Sequence, residues 1–227
     1  MKWIIDLFAS TLGRKLLMSL TGLFLISFLV IHLAGNLQLL KHDNGEAFNH
    51  YAEFMGHNAL IQTIAKLNFT FIALHAIVSL ILTTRNRDAR GAEGYKAAPK
   101  KKSSIWASRN MGILGTLILI FLVIHLKDFW GVSKFGTLNT TTYGEESYGD
   151  LYAVVIDWFQ VGWYVALYVF CMAALAFHLW HGFQSAFQTL GFRHPKWMPL
   201  IVFVGRAFAI IVPAMFAYIP LAIYFHI

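Results

Sequence analysis

Four of the ten histidines in this 227-residue chain, His32, His75, His125 and His178, lie inside four successive long uncharged apolar stretches, the fourth of which also holds His181. An ionisable side chain at membrane depth is costly and marks a candidate functional site by default. A neutral imidazole is also the commonest protein ligand to a metal. Four of them in an apolar bundle, in two layers of two, suit two planar iron cofactors, each held between a pair of rings, and haem is the group of that description. Other chemistry uses a single histidine in such a place, as a hydrogen bond between helices or as a step in a proton path. A zinc site would need a third ligand, which neither level offers, and a proton relay would not need two matched pairs.

The elements that carry these residues must be membrane helices. The chain is 58% hydrophobic and only 13% charged, with a mean hydropathy of +0.59, far from the average soluble domain. A membrane helix takes about 20 mostly apolar residues. The qualifying runs are Leu16–Leu40, Leu60–Thr84 broken only by Lys66, Asn110–Leu126, Trp158–Phe192, and Trp197–Ile227 with Arg206 inside it. The third is short and borrows from its flanks, and the fourth is too long for the bilayer alone. Trp106, Trp130, Trp158 and Trp197 mark the ends of these runs as an aromatic belt would. The expected fold is all-α, an integral membrane five-transmembrane-helix bundle enclosing two haems. It forms one domain over 1–227, with spans near 16–40, 60–84, 108–130, 158–190 and 198–225.

Other classes find little support. The single cysteine, Cys171, falls mid-span, so no disulfide framework is possible. The first apolar run is too long for a signal peptide and lacks a small-residue cleavage site. No P-loop, GxGxxG fingerprint or paired-cysteine motif occurs. The net charge of +7 is a topology signal rather than a nucleic-acid patch, even at Lys100–Lys102, in a chain this apolar. Lys2, Arg14 and Lys15 precede the first run, and Arg85, Arg87, Arg90, Lys96, Lys100, Lys101, Lys102 and Arg109 fill the second connection. Arg193 and Lys196 fill the fourth. The first and third connections hold only Lys41, Lys127 and Lys134 among many acids. By the positive-inside rule the N-terminus faces the cytoplasm and the C-terminus the outside.

Depth then follows from the helical rise. At ~1.5 Å per residue, His32 lies about 24 Å and His125 about 22 Å beyond the inner ends of their runs. His75 lies about 14 Å and His178 about 18 Å from theirs. His32 therefore levels with His125 nearer the outside, and His75 with His178 nearer the cytoplasm.

Several strings, in order, carry a resemblance: LGRKLLMSLTGLF (Leu12–Phe24), IHLAGNL (Ile31–Leu37), AFNHYAEFM (Ala47–Met55), LHAI (Leu74–Ile77), NRDARGAEGY (Asn86–Tyr95), SSIWASRNM (Ser103–Met111) and HLKDFWGVSKFG (His125–Gly136). They resemble the cytochrome b membrane anchor of succinate dehydrogenases and fumarate reductases, in its single-subunit, five-helix, two-haem form, the cytochrome b558 family. The resemblance covers at least the first 190 residues. It implies that His32 and His125 are axial ligands to the iron of an outer haem b, and His75 and His178 to that of an inner haem b. His178 and His181 are three apart on nearly one helix face. Depth slightly favours His181, whereas the family motif of His, three residues, then Gly is met by His178 and Gly182. A glycine there leaves room for a macrocycle against the backbone. Gly22 could serve the same clearance or simply close helix packing. Arg206, about 14 Å into the fifth run, either snorkels to the inner face or neutralises a haem propionate. His42, His50, His57, His194 and His226 read as surface residues.

The resemblance implies an electron-transfer, quinone-reacting subunit of a succinate:quinone oxidoreductase (complex II) in a bacterial cytoplasmic membrane, with menaquinone or another quinone as substrate. Its partners would be a flavoprotein and an iron–sulfur subunit, docked on the cytoplasmic basic face, the bilayer, and no nucleic acid. Assembly into a higher oligomer of that complex is compatible with this. This chain carries no dicarboxylate active site of its own. The resemblance favours a quinone site near the outer haem, with Glu53 exchanging protons and Gln38 and Asn36 as carbonyl contacts. Glu53 also fits an ordinary surface acid. Some quinol-oxidising family members place a carboxylate two residues before the fourth ligand; Ala176 stands there, which favours succinate:quinone over quinol:fumarate reduction. Different readings are a dihaem subunit of a hydrogenase or formate dehydrogenase and a haem-free proton channel.

Overall fold

The computed structural model describes Asp6 and residues 10–91 and 106–227. Lys2, Lys96 and Lys100–Lys102, which contribute to the basic inner face in the sequence, lie outside the described residues, as do parts of the strings at 86–95 and 103–111. Among the described residues, five helices are long and apolar enough to cross a membrane: Thr11–Leu40, Ala59–Ala89, Met111–Phe135, Gly162–Thr189 and Met198–Phe225. Large apolar side chains such as Leu20, Ile77, Ile120, Phe170 and Phe203 face outward on all five. A soluble protein rarely exposes so continuous an apolar surface, and a multi-pass membrane protein requires one.

Local signals explain where these helices begin. Helix α1 (Thr11–Asn36) starts at Ser10, whose Oγ accepts from the Gly13 N–H at 3.0 Å. Helix α3 (Ala59–Arg90) starts at Asn58, whose Oδ1 accepts from the N–H groups of Leu60 and Ile61. Both satisfy donors that the first turn leaves unpaired. Between them lies a shorter helix, α2 (Glu46–His57), pinned where Tyr51 lies over Gly35; a Cβ on Gly35 would come within 2.3 Å of that ring.

Helix α4 (Met111–His125) does not stop at its histidine. Its hydrogen-bond ladder widens into a π turn over Leu126–Gly131 and resumes over Val132–Phe135. Lys127 and Asp128, counted in the sequence with the charges of the third connection although the expected span reaches 130, therefore lie within the third span, Lys127 exposed and Asp128 only 4% exposed. A two-stranded antiparallel hairpin, Thr140–Tyr143 with Glu146–Gly149, follows. The fold is thus helical with one small β element, a departure from the expected all-α chain. The long fourth run is also divided: α5 (Leu151–Phe159) ends before Gln160 and Val161, and α6 (Gly162–Thr189) forms the span. Trp158, partly buried just before the fourth span, stacks on Tyr164 at 4.7 Å.

The fourth span is the central one. Its apolar window is 39% buried inside the protein, against 11% for each of the first three. It packs most extensively on the last helix, α7 (Met198–Phe225). A main core cluster gathers at one end of the bundle around Leu39, Phe48, Val155, Phe159, Tyr164, Tyr168, Ile219 and Ile223. Asn49, 1% exposed, ties this end together. Its amide donates to Asp150 Oδ1 at 3.0 Å and to the Tyr143 hydroxyl at 3.1 Å, and its Oδ1 accepts from the Tyr152 N–H at 2.9 Å.

Candidate paired-histidine sites

The four spans bring the intramembrane histidines together in two cross-helix pairs. His32 on α1 meets His125 on α4 with ring centroids 5.7 Å apart, and His75 on α3 meets His178 on α6 at 6.3 Å. The pairing agrees with rise per residue, because side chains at similar depth can meet across the bundle.

Each ring is held by its surroundings. His75 Nδ1 lies 3.1 Å from Thr21 Oγ1, and the Thr21 hydroxyl donates to the Leu17 carbonyl at 2.8 Å. The threonine oxygen therefore remains to accept from a protonated Nδ1, which leaves Nε2 of His75 free to ligate. Gly22 stands beside the same ring: a Cβ there would come 3.3 Å from His75 Cε1. It makes room for the His75 ring. His32 is stacked on Phe28 at 5.2 Å and meets Phe216 of α7 at 5.6 Å. His125 is stacked on Phe121 and has its Nδ1 3.2 Å from the Tyr168 hydroxyl. His178 Nδ1 is buried without a hydrogen-bond partner among the described residues.

These residues fit haem on several grounds. A metal–nitrogen bond of about 2 Å on each side, plus the distance from nitrogen to ring centre, separates two ligating rings by roughly 6 Å, close to both pairs. No group of three or more His, Cys, Asp or Glu among the described residues could hold a metal ion. A metal shared by one of these pairs would need further donors, which a macrocycle would supply. Gly182 has nothing within 4 Å of where its Cβ would stand, so a planar group could approach the backbone there. Near the N-terminal end of α1, Arg14 Nη1 is buried and unpartnered among the described residues, suited to an anionic substituent.

The remaining sequence candidates are scattered. His181 is half-buried one turn from His178. Arg206 is exposed, its guanidinium 5.3 Å from the centre of the Trp180 ring. Glu53 is exposed on α2 and paired with His57 at 3.1 Å. Asn36 turns back on its own helix, donating to the His32 carbonyl at 2.8 Å, and Gln38 makes a long 3.4 Å bond to the Ala34 carbonyl. His42, His50, His57, His194 and His226 are all exposed.

Thr21, Asp128, Tyr164 and Tyr168 were not singled out by the sequence. The signals were available: Thr21 next to Gly22, two tyrosines spaced i,i+4 on the central helix, and an acid one turn after His125. Comparisons with protein-family models, curated proteins and solved structures found no match.

Proposed function

We propose that this chain is the dihaem cytochrome b membrane anchor of a succinate:quinone oxidoreductase, carrying electrons between an iron–sulfur partner and a membrane quinone. The observation that carries this reading is the pair of cross-helix histidine contacts, 5.7 Å and 6.3 Å, made by four separate spans. His32 and His125 would hold one haem b and His75 and His178 the other, and the bound iron would supply one-electron carriage at two depths. The chain's own residues set ligand orientation and surroundings. Thr21 fixes the His75 tautomer, Gly22 gives its ring room, and Gly182 keeps the backbone open beside His178. The apolar spans keep water away from both levels.

Resemblance in the seven ordered strings supports the choice of partner enzyme. Flavin and iron–sulfur chemistry would reside on two subunits docked at the basic cytoplasmic face, to which Arg14, Lys15, Arg85 and Arg109 belong. The quinone, menaquinone in the reading favoured here, would react near the outer pair. Glu53 would exchange protons there, with Gln38 and Asn36 close by on the first span. Ala176 favours succinate oxidation over quinol:fumarate reduction. The proposed setting is a bacterial cytoplasmic membrane with the N-terminus inside.

The test is purification of the chain in mild detergent from its native membrane. Co-purification of one flavin-bearing and one iron–sulfur subunit, with succinate reducing b-type absorbance, supports the reading. Haem-bearing protein that co-purifies with a hydrogenase or formate dehydrogenase would transfer the anchor role to that enzyme. Protein without haem absorbance would leave the proton channel.

A further inference from the structure

A continuous hydrogen-bonded chain runs from His125 to a buried carboxylate. His125 Nδ1 lies 3.2 Å from the Tyr168 hydroxyl, which lies 3.2 Å from the Tyr164 hydroxyl, which donates to Asp128 Oδ2 at 3.0 Å. Tyr164 is 1% exposed, Asp128 4% and Tyr168 5%. The other carboxylate oxygen, Oδ1, accepts from Lys127 Nζ at 2.9 Å, and Lys127 is exposed on the protein surface.

The end group fixes the direction of every bond. A carboxylate can only accept, so Tyr164 spends its one hydrogen on Asp128. The Tyr164 oxygen must then accept from Tyr168, and the Tyr168 oxygen must accept from His125. His125 therefore carries its proton on Nδ1 and presents the Nε2 lone pair. We propose that Asp128 is a positioning residue for His125: through Tyr164 and Tyr168 it sets the tautomer and orientation of that imidazole and strengthens Nε2 as a metal donor. This rests on the reading of His125 as a haem ligand. Partners in the second shell tune metal sites in this way, and their loss changes metal affinity or activity by roughly 10–100-fold.

The other three histidines lack such a link. His75 ends on a threonine that gives its hydrogen to a backbone carbonyl, a neutral terminus. His32 Nδ1 has only the Asn36 amide nitrogen at 3.4 Å. His178 Nδ1 has no partner among the described residues. Among the described residues only His125 is linked to a carboxylate, so removing that carboxylate should alter one haem and spare the other. An anionic chain on the ligand favours the oxidised, more positive iron. Cutting it should raise that haem's midpoint potential.

The π turn explains why an acid can lie there. Leu126–Gly131 widens the helix immediately after His125, and Asp128 sits within that turn facing the central helix. π turns occur often at functional sites. The tyrosines, one turn apart on α6, span the gap between Asp128 and the ring.

The experiment uses the complete membrane complex carrying Asp128→Asn, Tyr168→Phe, or both, with haem content and the midpoint of each haem measured. Two haems in the unaltered complex are required first; fewer would count against the dihaem reading itself, separately from this inference. With both present, each single variant should shift one haem's reduction equilibrium about tenfold toward the reduced form, ~59 mV for one electron, and leave the other unmoved. The double variant should shift it no further than the larger single one, because both cut the same chain. Unchanged midpoints in both single variants, additive shifts, or equal shifts in both haems would each overturn the proposal. Should Asp128→Asn lose the outer haem, Tyr164→Phe decides: a wild-type midpoint there overturns the proposal, and a raised one supports it.

Discussion

Replacing Gly22 by valine should remove the inner haem and leave the outer one in place. The glycine sits where α1 passes the His75 ring, and a Cβ alone would lie 3.3 Å from Cε1 and 3.8 Å from Nδ1. Valine's methyl groups project about one bond length further, which the packed ring cannot accept in its present rotamer. To escape, His75 must leave Thr21, its partner at 3.1 Å. That forfeits about 1 kcal/mol for a hydrogen bond, and overpacking with an off-rotamer ring adds about 2 kcal/mol. The total, about 3 kcal/mol, corresponds to roughly a hundredfold weaker hold on a group shared by His75 and His178. Gly22→Ala should do much less, because a contact of 3.3 Å needs only a few tenths of an ångström of give. The assay is haem content per purified chain together with the low-temperature difference spectrum. Two haems with unchanged spectra in Gly22→Val would refute the argument that this glycine clears the ring. Loss of both haems would mean a general packing defect.

Three further outcomes are expected. His178→Ala should lose one haem while His181→Ala retains both, read by the same haem assay; the reverse would exchange their roles. Glu53→Gln should abolish quinone turnover while both haem spectra and reduction of a soluble dye persist, and full quinone activity would remove Glu53 from the mechanism. Asn49→Leu should destabilise the end of the bundle by about 3 kcal/mol, since it leaves the Tyr152 N–H and Asp150 without their partner; a lower melting temperature and faster proteolysis near α2 would show it, and unchanged melting would contradict it.

The histidine pairs were legible in the sequence because depth along a helix is set by counting residues. Similar depths for His32 and His125, and for His75 and His178, place their rings near one level once the spans pack. The five apolar helices were legible for a similar reason, since length and hydropathy are one-dimensional properties. What stayed hidden depends on three-dimensional partners. Asp128 looks like a loop acid beside Lys127, and only the π turn turns it inward toward Tyr164. The break at Gln160–Val161 interrupts an apolar run that periodicity reads as continuous. The hairpin at 140–149 was overlooked although Gly144, at φ +62, offers the conformation a tight turn needs. The sequence leaves Gly22 open between clearance for a macrocycle and close helix packing, and its neighbour, His75, cannot be read without knowing how α1 and α3 meet.

The most direct test of the central claim is a pyridine haemochrome assay on the purified complex, scaled to the amount of this chain. The account predicts two b-type haems per chain. One haem, or none, would contradict it.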